Sequence, residues 1–205
     1  MTTLLQLNTS LFAGNGQSTQ LANDFVREWQ ADHPTAHVVV RNLAADPIPH
    51  LNAARLTALA TPAEQRNDEQ QQVAAFSDTL IAELQLADVI VLGLPLYNFG
   101  IPSALQAYFD HVARAGVTFK YTANGPVGFF QGKRVLVFAT RGGKHAGTHR
   151  DSVTAQVRNF LGLIGITDVE FVYAEGLNID ADTRAHELSA ARRHGAQLAH
   201  SASFA

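Results

Sequence analysis

Tyr97, Asn98 and Phe99 place two aromatic rings and an amide at consecutive positions of a segment bracketed by Pro95 and Pro102. The rings can wall a flat apolar ligand, and the amide can donate to one ring atom and accept from another. Aromatic residues usually serve a core, so this segment alone leaves both uses open. A second group, Ser10, Gly16, Gln17 and Ser18, sets hydroxyls and an amide just ahead of a helical stretch. A helix N-terminus there suits a phosphate, because its first N–H groups are free and the helix dipole favours an anion. Simple capping by Ser18 is the competing explanation. A third group, Thr140, Arg141, Gly142 and Gly143, ends in two glycines. They let a ligand reach backbone N–H groups, or they merely make a turn.

His145 lies beside the third group and Tyr121 on a separate stretch. The histidine can exchange a proton or serve only the surface, and the tyrosine can cover a ring or only pack. His145 and His149 are four residues apart, but with no helix expected and no carboxylate beside them they make no metal site. The chain has no G-x-G-x-x-G fingerprint, no Walker loop and no G-x-S-x-G elbow. Dinucleotide or ATP bound directly at the first loop, and serine hydrolysis, are therefore disfavoured.

The elements that must position these groups follow from periodicity. Residues 3–7 (TLLQL), 37–41 (HVVVR), 89–92 (VIVL), 134–140 (RVLVFAT) and 168–174 (DVEFVYA) read as strands. Pro95 cannot donate to a sheet, so the third strand should stop there. Ser18 and Thr19 are cap candidates for a first helix whose apolar face is Leu21, Phe25 and Trp29. A short helix is expected over 52–59, a polar exposed stretch over 62–68 and a long helix over 68–86 with Val73, Phe76, Leu80, Ile81 and Leu84 on one stripe. Pro102 opens a helix carrying Leu105, Tyr108, Phe109 and Val112. Residues 119–126 form an excursion around an Asn-Gly turn. Helices over 151–163 and 181–199 complete the alternation, the last with Arg184, Arg192 and Arg193 outward. Alternating strands and helices specify one doubly wound parallel α/β sheet and a single domain over residues 1–205. In it the three loops converge at the carboxyl ends of the strands, where ligands bind.

Composition narrows the partners. A net charge of −3 with no long run of one sign disfavours nucleic acid or an anionic membrane surface. The chain has 0 cysteines, which removes disulfides, thiol catalysis and thiolate metal sites. The first cation is Arg27, so a secretory leader is not expected, and no apolar run approaches a membrane span. A cytoplasmic protein is the expectation.

The motifs form an ordered series. It runs from Ser10 and Gln17-Ser18 through Pro95-Leu96-Tyr97-Asn98-Phe99, Tyr108-Phe109-Asp110 and residues 115–119. It continues with Tyr121-Thr122, Asn124-Gly125-Pro126, Arg141-Gly142-Gly143, Phe160-Leu161-Gly162 and Gly165-Ile166-Thr167-Asp168. In order and spacing this series resembles the FMN-dependent NADH-azoreductase / NADH:quinone oxidoreductase family, over nearly the whole chain. The resemblance implies a flavodoxin-like, doubly wound five-stranded parallel sheet of order 2-1-3-4-5, with helices on both faces. It implies FMN bound tightly but non-covalently. Ser10, Gly16, Gln17 and Ser18 would hold its phosphate, Leu96, Tyr97, Asn98 and Phe99 one part of its ring, and Thr140, Arg141, Gly142 and Gly143 another edge. It further implies NADH or NADPH as donor, quinones or azo compounds as acceptors in a two-electron ping-pong, and a homodimer with active sites at the interface. On this reading His145 and Tyr121 are the catalytic candidates, one as proton donor and one as pocket cover. Three departures bear on substrate range and affinity: Gly16 where a hydroxyl residue is common, Leu96 where methionine is common, and Leu163 where phenylalanine is found. A non-enzymatic flavodoxin-type carrier is the alternative, for which a strong acidic face would be expected. A hydrolase of acyl carrier protein would need a metal cluster or activated nucleophile that the sequence lacks.

Overall fold

The computed structural model describes residues 1–201. In chain order the elements are β1 (Thr3–Asn8), α1 (Gln17–Asp32), β2 (His37–Asn42), α2 (Ala53–Ala60), α3 (Asp68–Leu86) and β3 (Val89–Pro95). They continue with α4 (Ser103–Val112), β4 (Phe119–Thr122), β5 (Gly125–Gly128), β6 (Arg134–Thr140), α5 (Ser152–Leu163), β7 (Asp168–Ala174) and α6 (Ala181–Ala199). Five parallel strands make the main sheet in the order β2-β1-β3-β6-β7. Counting only those strands, this is the expected 2-1-3-4-5.

Burial explains the composition of the strands. β3 is buried at every position, because helices cover both sides of the sheet, whereas the edge strand β2 is only partly covered. On one face α1 and α6 pack Leu21, Phe25, Trp29 and Leu188 against Leu4, Val91 and Phe138. On the other, Leu80, Leu84, Tyr108 and Val157 meet Leu5, Ile90 and Val137. Each such fully buried large side chain contributes about 1.5–3 kcal/mol of hydrophobic stabilisation. β3 does end at Pro95, which pairs with Thr140 on the last rung, and the Leu96 N–H then donates to the Thr140 carbonyl at 2.9 Å.

Local chemistry moves several expected boundaries. α1 begins at Gln17 with Gly16 as N-cap and no side-chain capping bond. Ser18 and Thr19, the expected caps, lie inside the first turn, buried, with hydroxyls that meet no protein partner. This turn packs closely on β3 at Gly93: a side chain there would begin 3.1 Å from the Ser18 carbonyl oxygen and push the helix away by a few tenths of an ångström. Pro102, expected as the first helical residue, is instead the N-cap of α4, which begins one position later at Ser103. α3 starts as expected, at a capping box in which Asn67 and Gln70 bond each other's backbone N–H. Val73 and Phe76 are only partly buried, because their side of α3 faces the short α2. Residues 62–68 contain one 3-10 turn, Ala63–Gln65. The excursion is an antiparallel hairpin of β4 and β5.

Candidate functional site

Four loops meet at the carboxyl edge of the sheet, one more than the sequence suggested. The first, after β1, is tied to β3 by the Thr9 hydroxyl, which donates to the Gly93 carbonyl at 2.7 Å. Ser10 Oγ accepts from the Phe12 N–H at 3.2 Å and so folds the loop back toward α1. A side chain on Gly16 would start 2.2 Å from Ser10 Oγ and 2.5 Å from Ser10 Cβ. Gly16 is therefore a space requirement, in an extended conformation open to any residue. Gly16→Ser is expected to displace Ser10 and cost about 1–3 kcal/mol; a denaturation midpoint equal to wild type would refute this.

The second loop is a two-residue turn. Tyr97 and Gly100 exchange backbone bonds at 3.2 and 2.9 Å, and Asn98 and Phe99 have φ of 50° and 60°. Two consecutive left-handed residues are the mark of a type I′ turn; asparagine tolerates that conformation and a bulky phenylalanine resists it. The strain is held from outside, because Ser152 Oγ donates to the Phe99 carbonyl at 2.5 Å. The Tyr97 hydroxyl reaches the first loop, lying 3.3 Å from Ser10 Oγ and accepting from the Leu11 N–H at 3.3 Å. One side chain thus joins two of the loops.

The third loop is anchored from beneath by Arg141. The residue is 3% exposed, and its guanidinium bonds Asp151 at 2.8 Å, Thr154 at 3.0 Å and Glu175 at 3.2 Å and lies over the Tyr173 ring. Burial opposes ionisation of Asp151, but hydrogen bonds from Arg141 and Thr154 and the charge of Arg141 outweigh it and hold its pKa below the ordinary value. Glu175 Oε1 also accepts from the backbone N–H of His145 and Ala146, at 2.8 and 2.9 Å. The fourth loop, after β7, pairs with the third: Asn178 N–H donates to the Gly142 carbonyl at 3.0 Å and Gly176 N–H to that of Gly143 at 3.0 Å. A Cβ on Gly142 would meet Asn178 Nδ2 at 2.6 Å, so a side chain there would have to displace the Asn178 amide.

Between the loops lies an open cleft of ≈ 300 Å³. Of the expected site residues, Ser10, Gly16, Gln17, Leu96, Tyr97, Thr140, Arg141 and Gly142 line it. Ser18 sits in the first turn of α1, its hydroxyl buried and unpartnered. Asn98 and Phe99 form the turn tip outside the lining. Phe99 packs on His145, with ring centroids 5.2 Å apart. Gly143 lies under the His145 ring, whose Nδ1 is buried without a partner. Tyr121 is on the hairpin, 75% exposed and edge-on to Phe119, and does not line the cleft. Leu163 is partly buried at the end of α5, also outside the lining.

Sequence reasoning missed Phe12, Asn15, Leu177, Asn178 and Arg184, which all line the cleft. Arg184 was expected to point outward. It instead faces the cleft, because the first turn of α6 overhangs the same edge. The rule that ligands gather at the carboxyl ends of strands covers the loop after β7 as well and would have found these residues.

This geometry has counterparts among known proteins. A family model for the flavodoxin-like fold matches residues 2–198. The chain belongs to that family. Within it, the chain is 56% identical over 192 residues to a protein of Paraburkholderia phymatum named FMN-dependent NADH:quinone oxidoreductase, covering 94% of this chain and 97% of that one. A protein of Cellvibrio japonicus with the same name is 56% identical over 179 residues, 87% of this chain and 90% of its own. The flavodoxin-like architecture superposes on the crystal structure of an azoreductase from Bacillus anthracis with a TM-score of 0.89, 27% identity and coverage of 97% and 99% of the two chains. None of these names describes an electron carrier or a hydrolase.

Proposed function

We propose that this protein is an FMN-dependent NADH oxidoreductase that reduces quinones and aromatic azo compounds, with FMN held non-covalently in the cleft at the carboxyl edge. The observation that carries the reading is the unsatisfied donor set at the start of α1. Among the described residues the N–H groups of Gln17, Ser18 and Thr19 reach no protein acceptor, and the Ser18 hydroxyl is buried without one. No residue lining the cleft is acidic. These groups fit a phosphate, and the cleft beside them fits a flat ring between Leu96-Tyr97 and Thr140-Gly142.

When bound, FMN would supply the two-electron chemistry between NADH and a quinone or azo acceptor. The protein supplies position and charge. Ser10, Gly16, Gln17 and Ser18 hold the phosphate end. The tip amides of Asn98 and Phe99, which among the described residues donate to no acceptor, remain available to a ring edge. Backbone N–H groups of Gly142 and Gly143 are preorganised donors for developing negative charge, kept in place by Arg141 and the fourth loop.

His145 delivers a proton to the acceptor from beside Phe99, and Tyr121 covers the pocket of a second subunit. The active unit is a homodimer: Val117, Tyr121, Val127 and Phe129 expose large apolar area on and around the hairpin, which a second copy would cover. The protein acts in the cytoplasm as a single domain, without nucleic acid or membrane partners. No helix among the described residues is long and apolar enough to cross a membrane.

The purified protein should show flavin absorbance or take up added FMN, and oxidise NADH when a quinone is present. Absence of turnover with and without FMN, for NADH and NADPH alike, would overturn the reading. His145→Gln is expected to slow acceptor reduction by about 10²-fold while leaving reduction of the enzyme by NADH unchanged. A near-wild-type rate removes the proton-donor role alone.

A further inference from the structure

Two cations line the cleft, and they are in opposite states. The Arg141 guanidinium is saturated by Asp151, Glu175 and Thr154. Arg184 makes a single side-chain bond, from Nη1 to the Leu177 carbonyl at 3.3 Å, and among the described residues it pairs with no carboxylate. A guanidinium has five N–H donors, so most of its capacity is unspent. Arg184 is also held in place. Its N–H donates to the Asp180 carbonyl at 3.1 Å in the first turn of α6, and Asp180 caps that helix through the Thr183 N–H at 2.7 Å.

Its place along the edge follows from how α6 lies on α1. Arg192 Nε donates to Asp24 at 3.1 Å, and His200 Nδ1 bonds Asp32 at 2.5 Å. Both pairs are separated by 168 residues, so the two helices run parallel in constant register. The residue 168 positions before Arg184 is Gly16, the N-cap of α1. The register therefore sets Arg184 level with the free N–H groups of the first turn of α1. Gly16 itself offers an anion no side-chain donor.

We infer that Arg184 is the cation that binds the phosphate of FMN, across the cleft from the N-terminus of α1. The inference rests on the flavin reading above. A phosphate monoester carries close to two negative charges near neutral pH and takes a planar guanidinium through two parallel hydrogen bonds. The cleft otherwise presents only neutral hydroxyl, amide and N–H donors to it, since Arg141 is engaged.

FMN and riboflavin differ only in that phosphate, so flavin fluorescence quenching on the flavin-stripped protein separates charge recognition from ring binding. Arg184→Gln is expected to weaken FMN about 10- to 100-fold and leave riboflavin within about twofold of wild type. Arg184→Lys, which keeps the charge and loses the fork, should retain part of the FMN affinity. Unchanged riboflavin binding also shows that the variant is folded. An FMN-to-riboflavin affinity ratio equal in wild type and Arg184→Gln overturns the assignment. So does a raised KM for NADH at unchanged FMN affinity, which would give the cation to the donor. Wild-type protein that binds neither flavin overturns the flavin reading itself.

Discussion

Arg141→Met is expected to lower stability by about 3–5 kcal/mol and to strip the protein of flavin. The methionine fills much of the same space, so the loss is electrostatic. Arg141 is the shared partner of Asp151 and Glu175, whose side chains are 9% and 14% exposed. Without the guanidinium both carboxylates remain largely desolvated with no cation beside them. Glu175 also loses the partner that fixes it under the N–H groups of His145 and Ala146. The third loop should then loosen and with it the preorganised donors at Gly142 and Gly143.

The pH dependence separates this from simple loss of packing. Asp151 has a folded-state pKa below its ordinary value of 3.8. A depressed carboxylate contributes stability that is complete above the unfolded pKa and lost as pH falls through the folded one. In Arg141→Met the sign reverses: burial without the cation disfavours the charged form. The gap in urea midpoint between wild type and variant should therefore be widest near neutrality and shrink as Asp151 protonates, toward about pH 4. A gap that stays constant with pH would mean that only packing was lost. Arg141→Lys should cost less, about 1–2 kcal/mol, because it keeps the charge but cannot bridge Asp151, Thr154 and Glu175 together.

That network marks where sequence reading stops. Strands and helices were legible because apolar spacing records which face is buried, and the parallel order followed from their alternation. Eight expected site residues reach the cleft because loops after parallel strands have only one edge to occupy. The partners of Arg141 come from the start of α5 and the end of β7, and pairings across elements leave no local spacing signal. Ser18 and Thr19 looked like caps because their types favour that role; they lie instead inside the first turn, packed closely on Gly93. Arg184 looked solvent-facing because helical periodicity describes a helix against its sheet, and its first turn has passed the end of that sheet. Phe99 in a left-handed conformation runs against its own propensity, and only the bond from Ser152 shows what holds it there.

The second large effect is expected at Gly128→Ala. A Cβ at Gly128 would lie 2.0 Å from the Gly165 nitrogen and 2.0 Å from the Ile164 carbonyl carbon, both backbone atoms. Neither side can give easily. Gly165, at φ +101°, closes α5 in a Schellman arrangement, with its N–H on the Gly162 carbonyl at 3.1 Å and the Ile166 N–H on that of Leu161 at 2.8 Å. On the hairpin side, the Phe130 N–H donates to the Ile164 carbonyl at 2.8 Å and its ring is buried. One methyl group must therefore pry the hairpin off α5 or break the helix end, at a cost of about 3 kcal/mol. Gly132 is the control four residues on. Its φ is +75° but a Cβ there meets nothing within 4 Å, so Gly132→Ala should cost only about 1 kcal/mol of backbone strain. The two glycines thus test space against conformation. If the exposed hairpin face carrying Tyr121, Val127 and Phe129 meets a second subunit, Gly128→Ala should also weaken the dimer, read by sedimentation, while a folded variant's own cleft still binds FMN. Equal losses for the two substitutions would show that the hairpin yields freely, and that its seat on α5 does not position it for a partner.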